Sequence, residues 1–400
     1  MTPNGRDYEN KKQFVVMDLK EKKINFMAKE TQKARRVRRR PNARARLILL
    51  FLAVCVVAAI VFAVVKGSSG VSLSPEPLPF SQSNSYAFTS KGVVYINETV
   101  MYYNDMERGK DNWHYDLSLE GLKVAASDSM IAVYSEDAVQ VILPHEQISS
   151  NKIEFSSTVL RVECGKAHLA VMTSDAQNNY FLTVIGLDGV QQEPIAYDDH
   201  YVSAFAFYGE DDKLWTLSNN IDAVIPVSTI STYNAGQSIT RVIPIIGELI
   251  DDVFIGYQGL YAMGTSNLFG YDDKGHEELR YMTYGWALLD SATIERNNYF
   301  LLVPLQSAST PSGKTLEAKL ITLPSTMDEK HFRLPEHCLN AFLYPDKIVA
   351  VTSNRVYIMD LSGQVMRDYS LEGEFVAVEK ISGERLLLDD GQQKFVVPIR

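Results

Sequence analysis

The sequence predicts an all-β fold, a β-propeller, preceded by one transmembrane α-helix. Three observations support this prediction: an uncharged apolar run near the N-terminus, a succession of short β-type segments after it, and a repeat of about 42 residues among those segments. They divide the chain into a basic tail (1–46), a membrane span (47–65), a Gly/Ser/Pro linker (66–79) and one large β domain (80–400).

The apolar run extends from Leu47 to Val65, and its 19 residues include no charged residue, Pro, Gly, Asn or Gln. As a helix it is roughly 28 Å long, close to the thickness of the hydrocarbon core of a bilayer. A buried core helix of this length would need a polar face, which the run lacks. A cleaved signal peptide does not fit either, because 46 residues precede the run. We therefore expect a single-pass membrane anchor.

The charges on the two sides of this run differ in sign. Residues 1–46 contain 15 Lys and Arg against 5 Asp and Glu, whereas residues 67–400 contain 23 against 44. The positive-inside rule places the basic tail in the cytoplasm, where it would bind anionic lipids, and the C-terminal domain outside the cell. The acidic domain argues against a nucleic-acid partner, because phosphate contacts need clustered Lys and Arg.

After residue 80, short runs rich in Val, Ile, Tyr, Phe and Thr alternate with turn-forming residues, which is typical of β-strands. The clearest predicted strands are 93–96, 130–134, 139–143, 181–185, 299–303, 348–351, 356–359 and 395–397. Many short strands in a domain of this size indicate a sandwich, a barrel or a propeller.

An internal repeat favours the propeller. The segment DLSLEGLKVA (116–125) recurs as DYSLEGEFVA (368–377), 252 residues or six times 42 later. A strand that precedes a turn recurs with a similar spacing, near Met101, Gln140, Thr183, Ile225, Phe269, Leu320, Ile358 and Val396. A period of about 40 to 45 residues is typical of propeller blades.

These anchors predict eight blades, with seven as the alternative if residues 85–118 are irregular. The last predicted blade has only three strands before Arg400. We expect an N-terminal strand around Leu78 to Ser81 to close the ring, because closure removes exposed sheet edges.

Val356 to Gly363 reads VYIMDLSG. This pattern, V-x-x-x-D-x-x-G, resembles the blade turns of quinoprotein-like propellers. The arrangement of tail, membrane span and propeller also resembles an uncharacterised family of membrane-anchored propellers of Gram-positive bacteria, which has no assigned activity. Quinoprotein dehydrogenases add a vicinal disulfide and a bound cofactor. This chain has no adjacent cysteines, so the resemblance does not extend to that activity or to a cofactor.

The most suggestive polar residues fall in predicted loops on one face of the propeller. They are Asp198, Asp199, His200, Tyr201, Asp389 and Asp390. Around the central channel such a group could bind a cation or a basic partner. The alternative is that Asp pairs occur there because Asp stabilises turns. We expect no metal site, since no loop alternates Asp and Asn ligands around a Gly.

No catalytic motif is present, and the seven histidines lack HxH or HExxH spacing. Cys164 and Cys338 are far apart, so pairing and two free thiols are both compatible with the sequence. The sequence thus favours a non-catalytic, membrane-tethered binding or scaffold module for a protein or a cell-envelope polymer. The alternative is a quinone- or metal-dependent enzyme on the channel face.

Overall fold

The computed structural model describes residues 72–81, 84–106, 112–117, 121–144, 148–149, 152–197, 201–220, 223–234, 238–305, 316–323, 328–381 and 384–399. They belong to one compact unit, Gly70–Arg400. The basic tail and the predicted transmembrane helix lie outside these residues. Within the described part of the chain, no helix is long and apolar enough to cross a membrane.

The described strands form eight sheets. The first two strands are β1 (Ser72–Leu73) and β2 (Glu76–Ser81). Blade 1 contains β3 (Tyr86–Phe88), β4 (Gly92–Asn97), β5 (Val100–Asp105) and β6 (Trp113–Asp116). Blade 2 contains β7 (Lys123–Ala126), β8 (Ile131–Tyr134), β9 (Ala138–Leu143), β10 (Ile148–Ser149) and β11 (Ile153–Glu154). Blade 3 contains β12 (Thr158–Cys164), β13 (His168–Ser174), β14 (Tyr180–Gly186) and β15 (Ile195–Tyr197).

Blade 4 contains β16 (Tyr201–Tyr208), β17 (Lys213–Asn220), β18 (Val227–Asn234) and β19 (Ser238–Ile246). Blade 5 contains β20 (Ile250–Gly256), β21 (Gly259–Gly264), β22 (Asn267–Tyr271) and β23 (Glu277–Met282). Blade 6 contains β24 (Trp286–Ile294), β25 (Asn297–Pro304), β26 (Glu317–Leu323) and β27 (Asp328–Arg333). Blade 7 contains β28 (Cys338–Leu343), β29 (Ile348–Thr352), β30 (Arg355–Met359) and β31 (Val365–Leu371). Blade 8 contains β32 (Ala377–Ile381), β33 (Arg385–Asp389) and β34 (Gln393–Pro398).

The first strands of neighbouring blades contact one another, β3 with β7, β7 with β12, β12 with β16, β20 with β24, β24 with β28 and β28 with β32. These strands therefore form the inner wall of the ring. Buried apolar residues of the described chain form eight clusters, each between two neighbouring blades. The prediction of eight blades is confirmed, and the seven-blade alternative is wrong.

The N-terminal strand β2 closes the ring. It pairs antiparallel with β34 and is the fourth, outermost strand of blade 8. Leu78 and Phe80 are buried in the cluster between blades 8 and 1, whereas Pro77 and Pro79 are exposed. Proline is tolerated here because an outermost strand has one edge without a partner strand. This strand is the one expected around Leu78 to Ser81.

The expected linker, 66–79, begins outside the described residues but ends within the fold. β1 pairs in parallel with β31 of blade 7, and β2 already begins at Glu76. The Pro-rich composition suggested a linker, but the alternation of buried Leu78 and Phe80 with proline is the pattern of an edge strand. The described part of the propeller therefore begins before residue 80.

All eight of the clearest predicted strands coincide with strands of the structure. Seven of the eight spaced anchors lie in third strands, from Met101 in β5 to Val396 in β34. The anchor at Ile225 is wrong, because β18 begins at Val227, just after Pro226. Ile225 instead lies in the turn before that strand and is 55% exposed.

Candidate functional site

Antiparallel pairing within each blade assigns every connection to one of two faces. We call the face with the second-to-third-strand turns and the blade-to-blade connections the upper face, and the other the lower face. Of the predicted site residues, Asp198, Asp199 and His200 lie outside the described residues, between β15 and β16. Tyr201, Asp389 and Asp390 are described, and all three lie at the upper face.

Asp389 and Asp390 have structural partners in blade 8. The Asp389 carboxylate accepts hydrogen bonds from the Gly391 N–H (2.8 Å) and from the Lys394 Nζ (3.1 Å). Asp390 Oδ1 accepts from the N–H groups of Gln392 (2.8 Å) and Gln393 (2.7 Å). These contacts hold the turn between β33 and β34, which is the ordinary use of Asp in a tight turn.

Tyr201 is the first residue of β16, is 53% exposed, and packs edge-on against Tyr180 with 5.8 Å between the ring centroids. It belongs to blade 4, which lies opposite blade 8 in an eight-blade ring. The structure therefore does not bring the three described candidates together as one site.

Metal-ligating and thiol groups show no assembled site in the described part of the chain. No three His, Cys, Asp or Glu side chains there converge so as to hold a metal ion. Cys164 and Cys338 are free and lie in blades 3 and 7. Burial raises the pKa of the Cys164 thiol well above its ordinary value and that of Cys338 to about 12. Both thiols are therefore protonated and weakly reactive at neutral pH.

Large apolar side chains are exposed along the upper face of blades 4 to 6. We name this group the upper apolar strip; it consists of Val224, Ile225, Ile246, Met282, Tyr284 and Leu305. Each is more than half exposed, and Met282 and Tyr284 are 74% and 76% exposed. Contiguous exposed apolar side chains on an otherwise acidic protein mark an interaction surface more often than scattered ones do.

A chain of backbone hydrogen bonds links the segments that carry the strip. The Gly247 N–H donates to the Pro226 carbonyl (2.8 Å), which joins the two loops of blade 4 that carry Ile246 and Ile225. Two further bonds cross blade 5, from the Thr265 N–H to the Leu249 carbonyl (3.3 Å) and from the Thr283 N–H to the Ser266 carbonyl (2.8 Å).

A fourth bond reaches blade 6, where the Leu305 N–H donates to the Gly285 carbonyl (2.8 Å). Gly247 and Gly285 have φ of 86° and 81°, so each blade-to-blade connection turns through a conformation that favours glycine. The loops of three blades thus present their apolar side chains on one connected backbone framework.

Buried polar groups support this framework from below. The Glu248 side chain, 8% exposed as a residue, accepts hydrogen bonds from the Ser266 N–H (2.5 Å), the Asn267 N–H (2.7 Å) and the Asn267 Nδ2 (2.7 Å). It therefore ties the connection after blade 4 to the upper turn of blade 5. The Ser228 hydroxyl accepts from the Ile250 N–H (2.9 Å), which fixes the start of β20 against blade 4.

The inner wall beside the strip carries carboxylates. In five consecutive blades, 3 to 7, the first strand contains a β-bulge near its upper end. In blades 5, 6 and 7 the residue after the bulge is Asp252, Asp290 or Asn340, whose Oδ1 accepts from the next backbone N–H at 2.8 to 2.9 Å. The bulge thus places a short polar side chain at the same position of the first strand in each of these three blades.

Asp290 forms an ion pair, whereas Asp251 and Asp252 in blade 5 form none with the residues that the structure describes. Its Oδ2 accepts from the Leu343 N–H (2.8 Å) and from the Lys380 Nζ (2.9 Å), which also donates to the Leu343 carbonyl (2.6 Å). This contact ties blades 6, 7 and 8 together. Among the described residues, Asp251 and Asp252 have no ion-pair partner.

Burial raises the pKa of Asp252, and the nearby charges of Asp290 and Asp251 raise it further against the opposing Val253 N–H bond. Burial and then Glu248 raise the pKa of Asp251. Both side chains are nevertheless open to water. The two carboxylates thus lie on the inner wall, partly surrounded by protein but open to water. A cation bound beside them would stabilise their charged form.

The described residues also line two open clefts. One, of about 680 Å³, lies between blades 8 and 1 and includes Asn84 and Asp390. The other, of about 670 Å³, lies at the lower side between blades 3 and 4 and includes His168 and Ile239. His168 Nδ1 is 3.2 Å from Oδ2 of the buried Asp212, which also accepts from three backbone N–H groups. Asp212 is thus bound to the neighbouring loop as a structural link.

Sequence reasoning did not identify the strip. One signal was present, because the Ala-Val-Ile run at 223–225 precedes Pro226 and cannot continue as a central strand. The spacing of the repeat instead placed a strand near Ile225. The other members lie 21 to 80 residues further along the chain, in three blades, and only the ring brings them together.

Comparison with solved structures shows the fold. The chain is similar to BamB from Moraxella catarrhalis (12% identity, TM-score 0.52, covering 82% of this chain and 99% of that one). It is also similar to the WD40 domain of SCAP from fission yeast (10% identity, TM-score 0.55, covering 81% and 97%). A third neighbour is the dihydro-heme d1 dehydrogenase NirN (13% identity, TM-score 0.51, covering 80% and 73%).

These neighbours are quinoprotein-like and WD40-type β-propellers, which agrees with the propeller fold that the turn motif and the repeat predicted. No protein-family model matches the sequence, and no curated protein matches it. At such low identity the likeness extends to the fold, and this fold serves binding domains as well as an enzyme.

Proposed function

We propose that this protein is a non-catalytic, membrane-tethered scaffold that binds another protein through the upper apolar strip. The observation that carries the proposal is the exposure of six large apolar side chains on one hydrogen-bonded framework across three blades. Protein interfaces are enriched in Tyr and Met at their buried centre, and Tyr284 and Met282 are 76% and 74% exposed. Similarity to WD40-type propellers supports this class of function.

The geometry suits docking better than catalysis. None of the six strip residues lines either of the two clefts described above, whereas small-molecule ligands bind in concave pockets. The loops that carry it are braced by Glu248 and Ser228, so a partner would meet a surface that is already ordered. The enzymatic alternative would instead place its chemistry on the inner wall, where Asp252 and Asp290 lie.

Affinity purification from membranes of cells that make the protein tests this function. We expect at least one protein to co-purify with the wild-type chain and to be lost with the double substitution Met282→Ser and Tyr284→Ser. The matched control is Val365→Ser with Met366→Ser, two exposed apolar residues on the outer strand of blade 7. Retention of every partner by the Met282/Tyr284 variant would contradict the proposal.

We also propose that residues 47–65 anchor the chain, with the tail in the cytoplasm and the propeller outside. The apolar run and the charge asymmetry support this topology. Single cysteines at Thr31 and at Ser83, in a chain without its own three cysteines, report it through an impermeant thiol reagent. In intact cells we expect labelling at position 83 and protection at position 31, and the opposite pattern would reverse the topology.

Membership in the Gram-positive family of membrane-anchored propellers belongs to the same proposal. It is supported by the order of tail, apolar run and propeller along the chain. Within this topology the upper apolar strip would face partners of the cell envelope.

A further inference from the structure

The chemistry around the upper apolar strip restricts what can bind there. Connections on the upper face contain nine described acidic residues, of which all but the buried Glu248 reach the surface: Glu98, Glu136, Asp137, Asp175, Glu248, Glu336, Glu372, Glu374 and Asp390. Their described parts contain no Lys or Arg. Lys319 lies close to this region, with its ammonium 4.5 Å from the centroid of the Trp286 ring, but it is only 4% exposed and presents no charge at the surface.

Two carboxylates lie at the inner border of the strip. Asp251 and Asp252 follow Ile250 directly, and the connection from Ile246 leads into that residue. Among the described residues neither has an ion-pair partner, in contrast to Asp290, which binds Lys380 at 2.9 Å. The connection after Ile246 therefore leads to two accessible carboxylates that, within the described part of the chain, have no ion-pair partner.

Charge decides among the possible occupants. A membrane surface of anionic lipid would be repelled by the acidic connections. A second copy of this chain would bring one acidic face against another, and like charges that face each other across an interface disfavour association. A protein segment with both apolar and basic side chains meets neither obstacle, because its Lys and Arg complement the face while its apolar residues cover the strip.

We propose that the partner, under the function proposed above, is a basic amphipathic protein segment. Its apolar side chains cover Met282, Tyr284 and Leu305, and its Lys or Arg side chains bind Asp251 and Asp252 at the mouth of the channel. Apolar contact supplies affinity, and the carboxylates select for positive charge and speed association at low salt.

Peptide probes separate these roles. The first probe is a twelve-residue peptide built only of Leu, Tyr and Lys in an amphipathic order. In the second probe each Lys is replaced by Glu, and in the third each Leu and Tyr is replaced by Ser. Binding is measured by fluorescence anisotropy to the full chain in detergent. We expect only the first probe to bind, with an affinity that falls as salt rises, because the Debye length shrinks from about 10 Å at 0.1 M to about 3 Å at 1 M.

Substitutions locate the binding. Asp251→Asn with Asp252→Asn keeps an oxygen acceptor for the Val253 N–H, and it should weaken the Lys probe roughly fivefold to tenfold. The control, Glu210→Gln with Asp211→Asn, removes two neighbouring exposed carboxylates from the lower face and should leave the affinity unchanged. Asp252→Lys should transfer preference to the Glu probe. Unchanged melting temperatures verify that each variant is folded.

The outcomes distinguish this proposal from the broader one. Equal binding of the Lys and Glu probes, or equal weakening by the lower-face control, would overturn the basic partner while leaving a strip-dependent interaction intact. Binding of anionic vesicles, or self-association lost in the Met282/Tyr284 variant, would overturn it in favour of a membrane or a second copy. Lys-probe binding that is indifferent to Met282→Ser with Tyr284→Ser would contradict the docking function itself.

Discussion

Glu248 shows how one residue positions the upper apolar strip. Its carboxylate accepts two backbone N–H groups and one side-chain amide of the next blade's upper turn. Glu248→Ala leaves those donors without their acceptor, and we expect it to lower the free energy of unfolding by about 2 to 3 kcal/mol. Urea unfolding measures this, with the exposed Glu210→Ala as the control. Equal midpoints for the two variants would contradict the bracing role.

Asp252 makes the stability of the folded protein depend on pH. Its folded-state pKa is raised, chiefly by burial, so between the ordinary carboxyl pKa of about 3.9 and the raised value the folded protein binds more protons than the unfolded chain. Its contribution to stability is therefore lost as pH rises through that window, and the charged form is unfavourable at neutral pH.

We expect Asp252→Asn to raise the melting temperature at pH 7 and to have no effect below the ordinary carboxyl pKa. Asparagine retains the acceptor for the Val253 N–H, so the bulge is preserved. Thermal unfolding across this pH range measures the difference, with the exposed Asp211→Asn as the control. A variant that melts below the wild type at pH 7 would show that the carboxylate is stabilising.

The residue types in the loops predict the turns of the upper face well. Asp389 and Asp390 hold the turn between β33 and β34, which was the alternative explanation for Asp pairs in these loops. Exposure is not predictable in the same way. Isoleucine is usually a core residue, but Ile225 precedes Pro226 and lies outside β18, and it is therefore exposed.

Individual strands make contacts that no local pattern shows. Lys380 of β32 reaches across β28 to Asp290 of β24, where Asp290 has only 18% of its side chain exposed. These residues are 90 positions apart in the sequence, and neither lies in a recognisable motif.

A double-mutant cycle on Lys380→Met and Asp290→Asn should give a coupling energy of about 1 to 3 kcal/mol, because the pair is partly buried and tied to a backbone carbonyl. The comparison is the exposed pair of Arg355 and Asp368, at 2.6 Å, for which we expect less than about 1 kcal/mol. Denaturant unfolding of the single and double variants measures both cycles. Equal coupling energies in the two pairs would mean that the inner-wall pair stabilises the fold no more than an exposed pair does.

The closing strand β2 was predictable in place but not in extent. Counting strands in the last blade required a partner near Leu78 to Ser81, and that strand is present. Its prolines concealed the alternation of Leu78 and Phe80, and the parallel pairing of β1 with β31 had no signal in the sequence.

Phe80 links blade 8 to blade 1 through ring contacts with Tyr86 (5.2 Å between centroids) and Tyr95 (5.0 Å). Because it is 6% exposed at the closure of the ring, we expect Phe80→Ala to lower the free energy of unfolding by about 3 to 5 kcal/mol. Tyr284→Ala, which removes an exposed ring, should cost less than about 0.5 kcal/mol. Equal stabilities would show that the ring does not depend on this contact.

At the scale of the whole molecule, the repeat predicted the number of blades but not the residue register. The segments at 116–125 and 368–377 both connect a fourth strand to the next first strand, six blades apart. The backbone, however, equates Leu117 with Leu371, since their N–H groups donate to the carbonyls of Thr99 and Asn354, which directly precede third strands. That offset is 254 rather than 252 residues. The sequence repeat aligns the two Ser-Leu-Glu-Gly runs, whereas the structure aligns the two buried leucines.

The ring also explains why function was harder to predict than architecture. Repeated apolar spacing produces every blade, so it can be read along the chain. The strip depends on three blades being neighbours, and the one predicted Asp pair that the structure describes, Asp389 and Asp390, is used to form a turn.

The most direct test is site-specific photo-crosslinking in living cells. A benzophenone side chain is introduced at Tyr284 or Met282, and at the control positions Val365 or Met366 on blade 7. We predict a discrete protein adduct of one mass from both strip positions and none from the controls. Adducts of equal yield at all four positions, or adducts from blade 7 alone, would contradict the assignment of the upper apolar strip as the docking surface.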